Sequence, residues 1–248
     1  MSHTFVPNYW QADANQGFAG PSRQGETPLY TAARYGHVDI CRLLLKEGGA
    51  DVNVGNAMGM SPLYVAAECQ QLDVCLMLLT ETNANVNLAE EDGFTPLYTA
   101  SQLGHAAVCR MLLTIGKANA NQTRHSGDSP LGIASFRGHV DVCRLLIAEG
   151  EADVNHSNDN GVSPLCAAVN RGHIEACRVL LVEGGADVNL GSPGRKSDGK
   201  TRGMTPLHVA AELGRHQVSH PQQCLVLDLV ANCQASYAFC LRLHHANF

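Results

Sequence analysis

Aromatic residues are scarce in this sequence. They make up 5% of the 248 residues, with a single tryptophan, although 45% of the chain is hydrophobic. A hydrophobic content of this size excludes a wholly disordered protein. The core must therefore be built mainly from Leu, Val, Ala and Cys, and small side chains of this kind favour small structural units that pack closely together.

Three further features are missing, and each argues against a class of protein. No window of about 18 uninterrupted apolar residues exists, so we expect no membrane insertion; the most apolar stretch, 224–241, contains Asp228, Asn232 and Gln234. The N-terminus has neither a basic leader nor an apolar stretch, and we expect no secretory signal. The formal net charge is −6, which argues against nucleic-acid binding because phosphate contacts need clustered Lys and Arg.

The sequence is instead rich in an internal repeat. Ser/Thr-Pro-Leu triplets recur at intervals of 34 residues, and the last follows after 42. Their prolines are Pro28, Pro62, Pro96, Pro130, Pro164 and Pro206. In each triplet the hydroxyl can accept a hydrogen bond from an otherwise unpaired backbone N–H, and proline suits the first helical position. Each triplet therefore predicts the start of a helix.

The residues after each triplet predict a pair of helices and a turn. Two small residues such as Ala32-Ala33 are followed by a glycine such as Gly36, the usual left-handed end of a helix. The next segment, from Val38, is apolar on more than one side, so neighbouring units must cover it. An Ala-Asp-Val-Asn stretch at 50–53, which recurs at 152–155 and 186–189, leads into a turn-rich hairpin.

This pattern resembles the ankyrin repeat. Five units match between Gly25 and Asn189, and an incomplete sixth follows. The units begin near residues 25, 59, 93, 127, 161 and 203. The resemblance implies an all-α repeat solenoid of stacked helix-turn-helix units with projecting β-hairpin fingers. It also implies a protein that binds other proteins through its concave side, without enzymatic activity or a cofactor.

Three segments depart from the pattern around a repeat domain that we place at 25–221. Residues 1–24 match no unit, and we expect them to be mobile. The insertion 190–203 is the most basic stretch of the chain, and it is either a docking loop for an acidic partner or a tolerated surface insertion. The atypical segment 222–248 is either a helix that caps the stack or the product of a shifted reading frame or an unspliced intron.

Cysteine recurs at one position of the second helix. The five residues are Cys41, Cys75, Cys109, Cys143 and Cys177. Equivalent positions in stacked units are about 8–10 Å apart, whereas a disulfide needs Cα atoms about 4.4–6.8 Å apart and zinc needs thiolates that converge on one point. We interpret these cysteines as small buried hydrophobes and expect no metal site. Ten cysteines without a disulfide framework indicate a reducing compartment, the cytoplasm or nucleus.

The other cysteines share no spacing, and we expect Cys69 to face solvent, which makes it the thiol to test for reactivity. It belongs to the unit that departs most from the repeat, in which Cys69-Gln70-Gln71 replaces the usual Gly-His pair. Glutamine at a left-handed position costs stability, so we expect this unit to be a weak point of the stack.

Two polar residue types also recur at fixed positions. Histidine opens the second helix at His37, His105, His139 and His173, with Gln71 in the second unit. We expect these residues to form hydrogen bonds at the helix start rather than to bind a metal. Asparagine closes the loop at Asn53, Asn87, Asn121, Asn155 and Asn189. Structural hydrogen bonding is the role expected for these asparagines, and hydroxylation, which occurs in ankyrin proteins, is the alternative.

Recognition is expected at positions that vary between units without breaking the repeat. These positions are the last turn of the first helix, the residue before Ser/Thr-Pro, and the hairpin tip. The candidate partner-binding residues are Arg34, Tyr35, Met60, Phe94, Gln102, Leu103, Phe136, Arg137, Arg171 and Met204. Aromatic residues and arginine commonly anchor interfaces. We hypothesise that Phe94, Leu103 and Phe136 centre the surface; the alternative is that each covers its own hairpin.

Together these observations predict a monomeric adaptor that binds one or more proteins through its concave groove and finger tips. An enzyme is not supported, because no constellation of nucleophile, base and orienting residue recurs. The alternative is an ankyrin fragment of a larger multidomain protein, an enzyme or a membrane-associated protein, whose activity lies outside this chain.

Overall fold

The computed structural model describes residues 13–17, 25–191, 205–206 and 208–209. The described part of the chain contains five consecutive helix pairs. Their first helices are α1 (Pro28–Arg34), α3 (Pro62–Glu68), α5 (Pro96–Leu103), α7 (Pro130–Arg137) and α9 (Pro164–Arg171). Their second helices are α2 (Val38–Lys46), α4 (Leu72–Glu81), α6 (Ala106–Thr114), α8 (Val140–Ala148) and α10 (Ile174–Arg178), and the last of these continues as a π-helical turn, Val179–Glu183.

The first helices begin as the Ser/Thr-Pro-Leu triplets predict. In α1 the Thr27 hydroxyl accepts a hydrogen bond from the Tyr30 N–H at 3.1 Å, and proline occupies the first turn. The corresponding hydroxyls of Ser61, Thr95 and Ser129 each accept a bond of the same length, and that of Ser163 accepts one of 3.3 Å. Loss of such a cap typically costs about 1 kcal/mol. The predicted helix starts are therefore confirmed in all five described units.

The helix pairs stack into two layers. The first helices pack against one another to form an inner layer, and the second helices form an outer layer. The leucines of the first five triplets are almost fully buried, and most of the buried apolar side chains among the described residues form one continuous core cluster. The predicted all-α repeat solenoid is confirmed, since each unit covers the apolar sides of its neighbours.

The fingers between units are tight turns. Within the first finger the Asn56 N–H donates to the Met60 carbonyl at 3.1 Å. One main-chain bond joins each finger to the next, as in the Glu91 N–H that donates to the Met58 carbonyl at 3.0 Å. Within the described residues these bonds build no strand, because a single bond between neighbouring fingers is too few for a β-ladder. The projecting fingers therefore exist, although they lack the expected β-hairpin ladder.

The five periodic cysteines are core residues, as predicted. Each has a relative exposure of 0%, and all described cysteines are free thiols. Desolvation raises the pKa of Cys75 to about 12 and that of Cys109 to about 11. The thiols are therefore protonated and chemically inert at neutral pH. Their role is to fill small spaces between helices.

Cys69 is exposed, as the sequence predicts. Its pKa is nevertheless raised, first by partial desolvation and then by the neighbouring Glu68 carboxylate, although Arg34 opposes this. A raised pKa reduces the thiolate fraction, and the thiolate is the nucleophile. Cys69 is thus accessible but not activated.

Residues 13–17 repeat the loop of the ankyrin-like units, although the sequence analysis placed them in a segment that matches no unit. The Asn15 N–H donates to Asp13 Oδ1 at 2.9 Å, as the Asn53 N–H does to Asp51 Oδ1 at 2.9 Å. Asn15 Oδ1 in turn accepts from the Asp51 N–H at 2.7 Å. This loop therefore extends the row of stacked loops by one.

Several predicted features lie outside the described residues. They are the remainder of 1–24, the insertion from 192 to 203, Met204, and the segment 222–248. The sixth unit is described only at its start, where the Thr205 backbone carbonyl accepts from the Val209 N–H at 3.0 Å. The domain boundaries consequently stay predictions.

The second unit carries the expected backbone strain. Gln70 has φ of 57°, whereas the corresponding residues of neighbouring units are glycines, such as Gly36 and Gly104, each with φ of 77°. The left-handed conformation costs a residue with a Cβ roughly 1–2 kcal/mol. Glycine avoids this cost, although its larger unfolded-state entropy offsets part of the gain.

We expect Gln70→Gly to raise the free energy of unfolding by about 1 kcal/mol, which corresponds to a Tm increase of roughly 2–4 °C for a domain of this size. Thermal and urea unfolding measure the effect. The reciprocal control is Gly172→Gln, which should destabilise the protein through backbone strain, since φ is 73° there and an added Cβ meets no atom within 4 Å. A lower Tm for Gln70→Gly would contradict the explanation of strain at this position.

Candidate protein-binding surface

The ends of the first helices are joined to the next unit by a histidine ladder, formed by His105, His139 and His173. Their Nε2–H groups donate to the main-chain carbonyls of Glu68, Gln102 and Phe136, at 3.1, 3.0 and 3.1 Å. Each carbonyl belongs to the preceding unit. The predicted role of these histidines in hydrogen bonding at the helix start is therefore confirmed.

Gln71 takes the place of histidine in the second unit. Its Nε2–H donates to the Arg34 carbonyl at 3.0 Å, so the bond survives the change of residue. His37 directly precedes α2, the second helix of the first unit, and its ring centroid lies 6.3 Å from that of Tyr35. In each of these bonds the acceptor is a main-chain carbonyl, and the side chain of the accepting residue takes no part. Their side chains are therefore free to differ from unit to unit.

A second set of lateral bonds, the asparagine ladder, joins the loops. Asn53 Oδ1 accepts from the Asn85 N–H at 2.7 Å, and Asn87 Oδ1 accepts from the Asn119 N–H at 2.8 Å. Asn121 and Asn155 accept in the same way from the N–H groups of the fourth and fifth loops. The structural role expected of these four asparagines is confirmed. Hydroxylation stays a prediction.

Nine of the ten candidate partner-binding residues fall within the described part of the chain. Arg34, Tyr35, Leu103, Arg137 and Arg171 are exposed, and Met60, Phe94, Gln102 and Phe136 are half-buried. Except for Met60 and Phe94, which precede the Ser/Thr-Pro caps, they lie at the ends of first helices. The inner layer and its fingers thus bring these side chains to one edge of the stack, which we call the inner side.

Phe94 packs within the protein more than the hypothesis expects. Its ring meets that of Tyr98 edge to face, with centroids 5.1 Å apart. The Arg124 guanidinium of the next finger lies 5.4 Å from the Phe94 centroid and pairs with Asp128 at 2.6 Å. Aromatic and cation–π contacts of this kind stabilise the finger. Here the structure favours the alternative, in which the side chain covers its own hairpin.

Met60 is also engaged within its own finger. Its sulfur accepts long hydrogen bonds from the Tyr30 hydroxyl at 3.9 Å and from Asn56 Nδ2 at 3.6 Å. Such contacts are weak individually, but they fix the side chain against the first helix. Met60 therefore contributes to the shape of the finger.

Leu103 and Tyr35 are the large apolar residues that remain open on the inner side. Leu103 is 44% exposed and Tyr35 is 59% exposed. Beside Tyr35, the Arg34 guanidinium lies 6.0 Å from the ring centroid and pairs with Glu26 at 2.9 Å. Exposed apolar side chains next to charged groups are typical of the anchors of protein interfaces.

Phe136 lies beneath two arginines. The Cζ of Arg171, one unit further on, is 4.3 Å from the Phe136 ring centroid, and that of Arg137 is 5.9 Å away. Cation–π attraction holds both guanidinium groups near the same ring. The structure thus joins three of the predicted residues into one cluster.

Arg124 lies at a hairpin tip, one of the positions expected to vary, but its contact with Phe94 was not predicted. Arg124 covers Phe94, a residue of the preceding unit. Its position at a hairpin tip could have drawn attention to it, but the contact depends on how far one finger is displaced from the next. The spacing of residues in the sequence does not determine that displacement.

Two helical layers with projecting turns define a helical-repeat protein. A family model for ankyrin repeats matches residues 8–90, 97–192 and 150–220, in three copies. Since these matches cover well over half of the sequence, the chain belongs to the ankyrin-repeat family. A comparison with curated proteins gives no significant match. In the residues that the structure covers, no helix is both long and apolar enough to span a membrane.

The histidine ladder can be tested with the substitution that the second unit already contains. We expect His139→Gln to leave the free energy of unfolding nearly unchanged, because a glutamine amide can reach the Gln102 carbonyl as Gln71 reaches that of Arg34. His139→Ala should cost about 1 kcal/mol, since it leaves the carbonyl without its partner.

Urea unfolding of both variants measures these differences. Equal destabilisation by His139→Gln and His139→Ala would show that the hydrogen bond contributes little and that the imidazole acts by packing alone.

Proposed function

We propose that this protein is a non-enzymatic adaptor that binds other proteins along its inner side, the concave groove and finger tips of the ankyrin stack. Ankyrin repeats are generally protein-protein interaction modules, and the family is typically without enzymatic activity. We further propose an intracellular location in the cytoplasm or nucleus, because buried free thiols such as Cys75 suit a reducing compartment.

One observation carries this proposal. The inner side presents exposed apolar and cationic side chains, such as Leu103 and Arg137. The histidine ladder holds the main-chain carbonyls of the residues that precede them, Gln102 and Phe136. A rigid backbone with variable exposed side chains lowers the entropy cost of binding. This arrangement favours recognition of a partner rather than any further stabilisation of the stack.

The structure provides a matched pair of residues for the test. Leu103 ends a first helix on the inner side, and Ile115 ends a second helix in the outer layer. Both are 44% exposed. Replacing either by alanine removes a comparable exposed apolar surface, so a difference between the variants reports position rather than hydrophobicity.

We expect Leu103→Ala to weaken capture of partner proteins while Ile115→Ala leaves capture unchanged, and we expect Leu103→Ala combined with Phe136→Ala to abolish it. The measurement is quantitative mass spectrometry of proteins retained from a native lysate, with the Tm of each variant as control. Surface substitutions should change stability by no more than about 0.5 kcal/mol. Phe94 is left intact because its packing against Tyr98 makes a loss of stability expected.

An identical set of captured proteins for Leu103→Ala and Ile115→Ala would contradict the assignment of binding to the inner side. A large fall in the Tm of the Leu103 and Phe136 variant would instead show that these residues belong to the core.

A further inference from the structure

The described arginines divide into two groups according to their partners. Six of the eight lie within salt-bridge distance of a carboxylate: Arg34, Arg42, Arg110, Arg124, Arg144 and Arg178. Within the same described part of the chain, Arg137 and Arg171 have no carboxylate at that distance. Both belong to the cluster around Phe136. The inner side therefore holds two neighbouring positive charges that the described protein does not neutralise.

The geometry of this cluster leaves the two guanidinium groups available to a ligand. An arginine stacked on an aromatic ring still directs its N–H groups outward in the plane of the guanidinium, where a carboxylate can accept two of them. Arg137 and Arg171 are also both exposed. Phe136 thus lies within cation–π distance of two cations without using their hydrogen-bonding capacity.

The surrounding charges define the path of an acidic ligand. The chain as a whole is acidic, with a net charge of −6, and the neighbouring finger tips expose Glu91, Asp92 and Asp159. An acidic ligand would be repelled at the finger tips and attracted at the helix ends. It would therefore follow the ends of the first helices.

Leu103, Arg137 and Arg171 occupy the same position in three successive units, at intervals of 34 residues. Neighbouring helices in such a stack are about 10 Å apart. An extended chain advances about 3.3 Å per residue, so consecutive positions correspond to about three residues of an extended ligand. Leu103, Arg137 and Arg171 therefore form a row of one apolar side chain followed by two cationic side chains.

We propose that Arg137 and Arg171 bind an extended acidic segment of a partner protein, in which an apolar residue contacts Leu103 and carboxylate side chains follow at intervals of about three residues. This inference rests on the proposed function, because it names the chemistry of the partner at the same surface. Complementary charge would also speed association and make the complex sensitive to salt.

The test is selection of peptides from a random display library against the full chain, followed by fluorescence titration of the selected peptides. We expect enrichment of Asp and Glu at intervals of about three residues from an apolar residue. Affinity should fall about tenfold for loss of each arginine and about a hundredfold for Arg137→Gln combined with Arg171→Gln. It should also fall with increasing salt.

The matched control is Arg110→Gln combined with Arg178→Gln. These residues lie on second helices, and their loss changes the net charge equally while breaking only exposed ion pairs, which contribute little to stability. Peptide affinity should be unchanged in this control. An equal loss in both double variants would overturn the proposal, because net charge rather than the Phe136 cluster would then explain binding.

The remaining outcomes separate this inference from the proposed function. Selected peptides could lack acidic residues and still bind the Leu103→Ala variant more weakly than the wild type. That result would overturn the proposal of an acidic ligand and leave the adaptor function intact. Single-stranded DNA that binds through Arg137 and Arg171 as tightly as the peptides would overturn the assignment to a protein ligand. Failure of every peptide to bind the inner side would contradict the proposed function and this inference together.

Discussion

A hydrogen bond between a side chain and a main-chain carbonyl is the constraint on which the rest of this structure depends. His105, His139 and His173 each donate to the carbonyl of a residue at the end of the preceding first helix. The acceptors are Glu68, Gln102 and Phe136, three residues with nothing in common except their main chain. Since the lateral bond needs only a carbonyl, selection for stacking places no demand on these side chains. Stacking therefore uses the main chain of these residues and leaves their side chains available for the proposed recognition.

The asparagine ladder and the buried cysteines follow the same logic. Asn87 accepts a main-chain N–H of the next loop, and Cys109 fills a small space between helices. Both are repeated because every interface between units has the same shape. The side chains that are not repeated, such as Leu103 and Arg137, lie where no neighbouring unit imposes a shape. The inner side is thus the surface of the repeat whose side chains are not constrained by stacking.

Much of the fold could be predicted from the sequence, since it rests on local chemistry in a fixed register. Thr27 before Pro28 caps a helix whatever surrounds it, and the left-handed turn at Gly104 needs a residue without Cβ. The strain at Gln70 could be predicted for the same reason. The roles of the histidines and cysteines also followed, because an interval of 34 residues places equivalent side chains in equivalent surroundings.

The contacts that cross from one unit to the next at irregular positions could not be predicted. Arg171 over Phe136 and Arg124 over Phe94 depend on the displacement between units, which spacing in the sequence does not give. Phe94 was expected at the centre of the binding surface, but it packs against Tyr98 of its own unit and lies under Arg124 of the next. The loop at 13–17 was missed because no Ser/Thr-Pro-Leu triplet precedes it, although Ala12, Asp13 and Asn15 preserve the Ala-Asp-Val-Asn stretch in the sequence.

Amide hydrogen exchange tests the separation of stacking from recognition most directly. The amides of Asn85, Asn119, Asp153 and Asp187 donate to the asparagine ladder. We expect them to be as strongly protected as amides within the helices, and equally so in the wild type and in a variant with alanine at Leu103 and Phe136. Protection lost in the variant would show that the inner side chains hold the stack together, and rapid exchange in the wild type would show that the asparagine ladder does not. Either result would contradict the account.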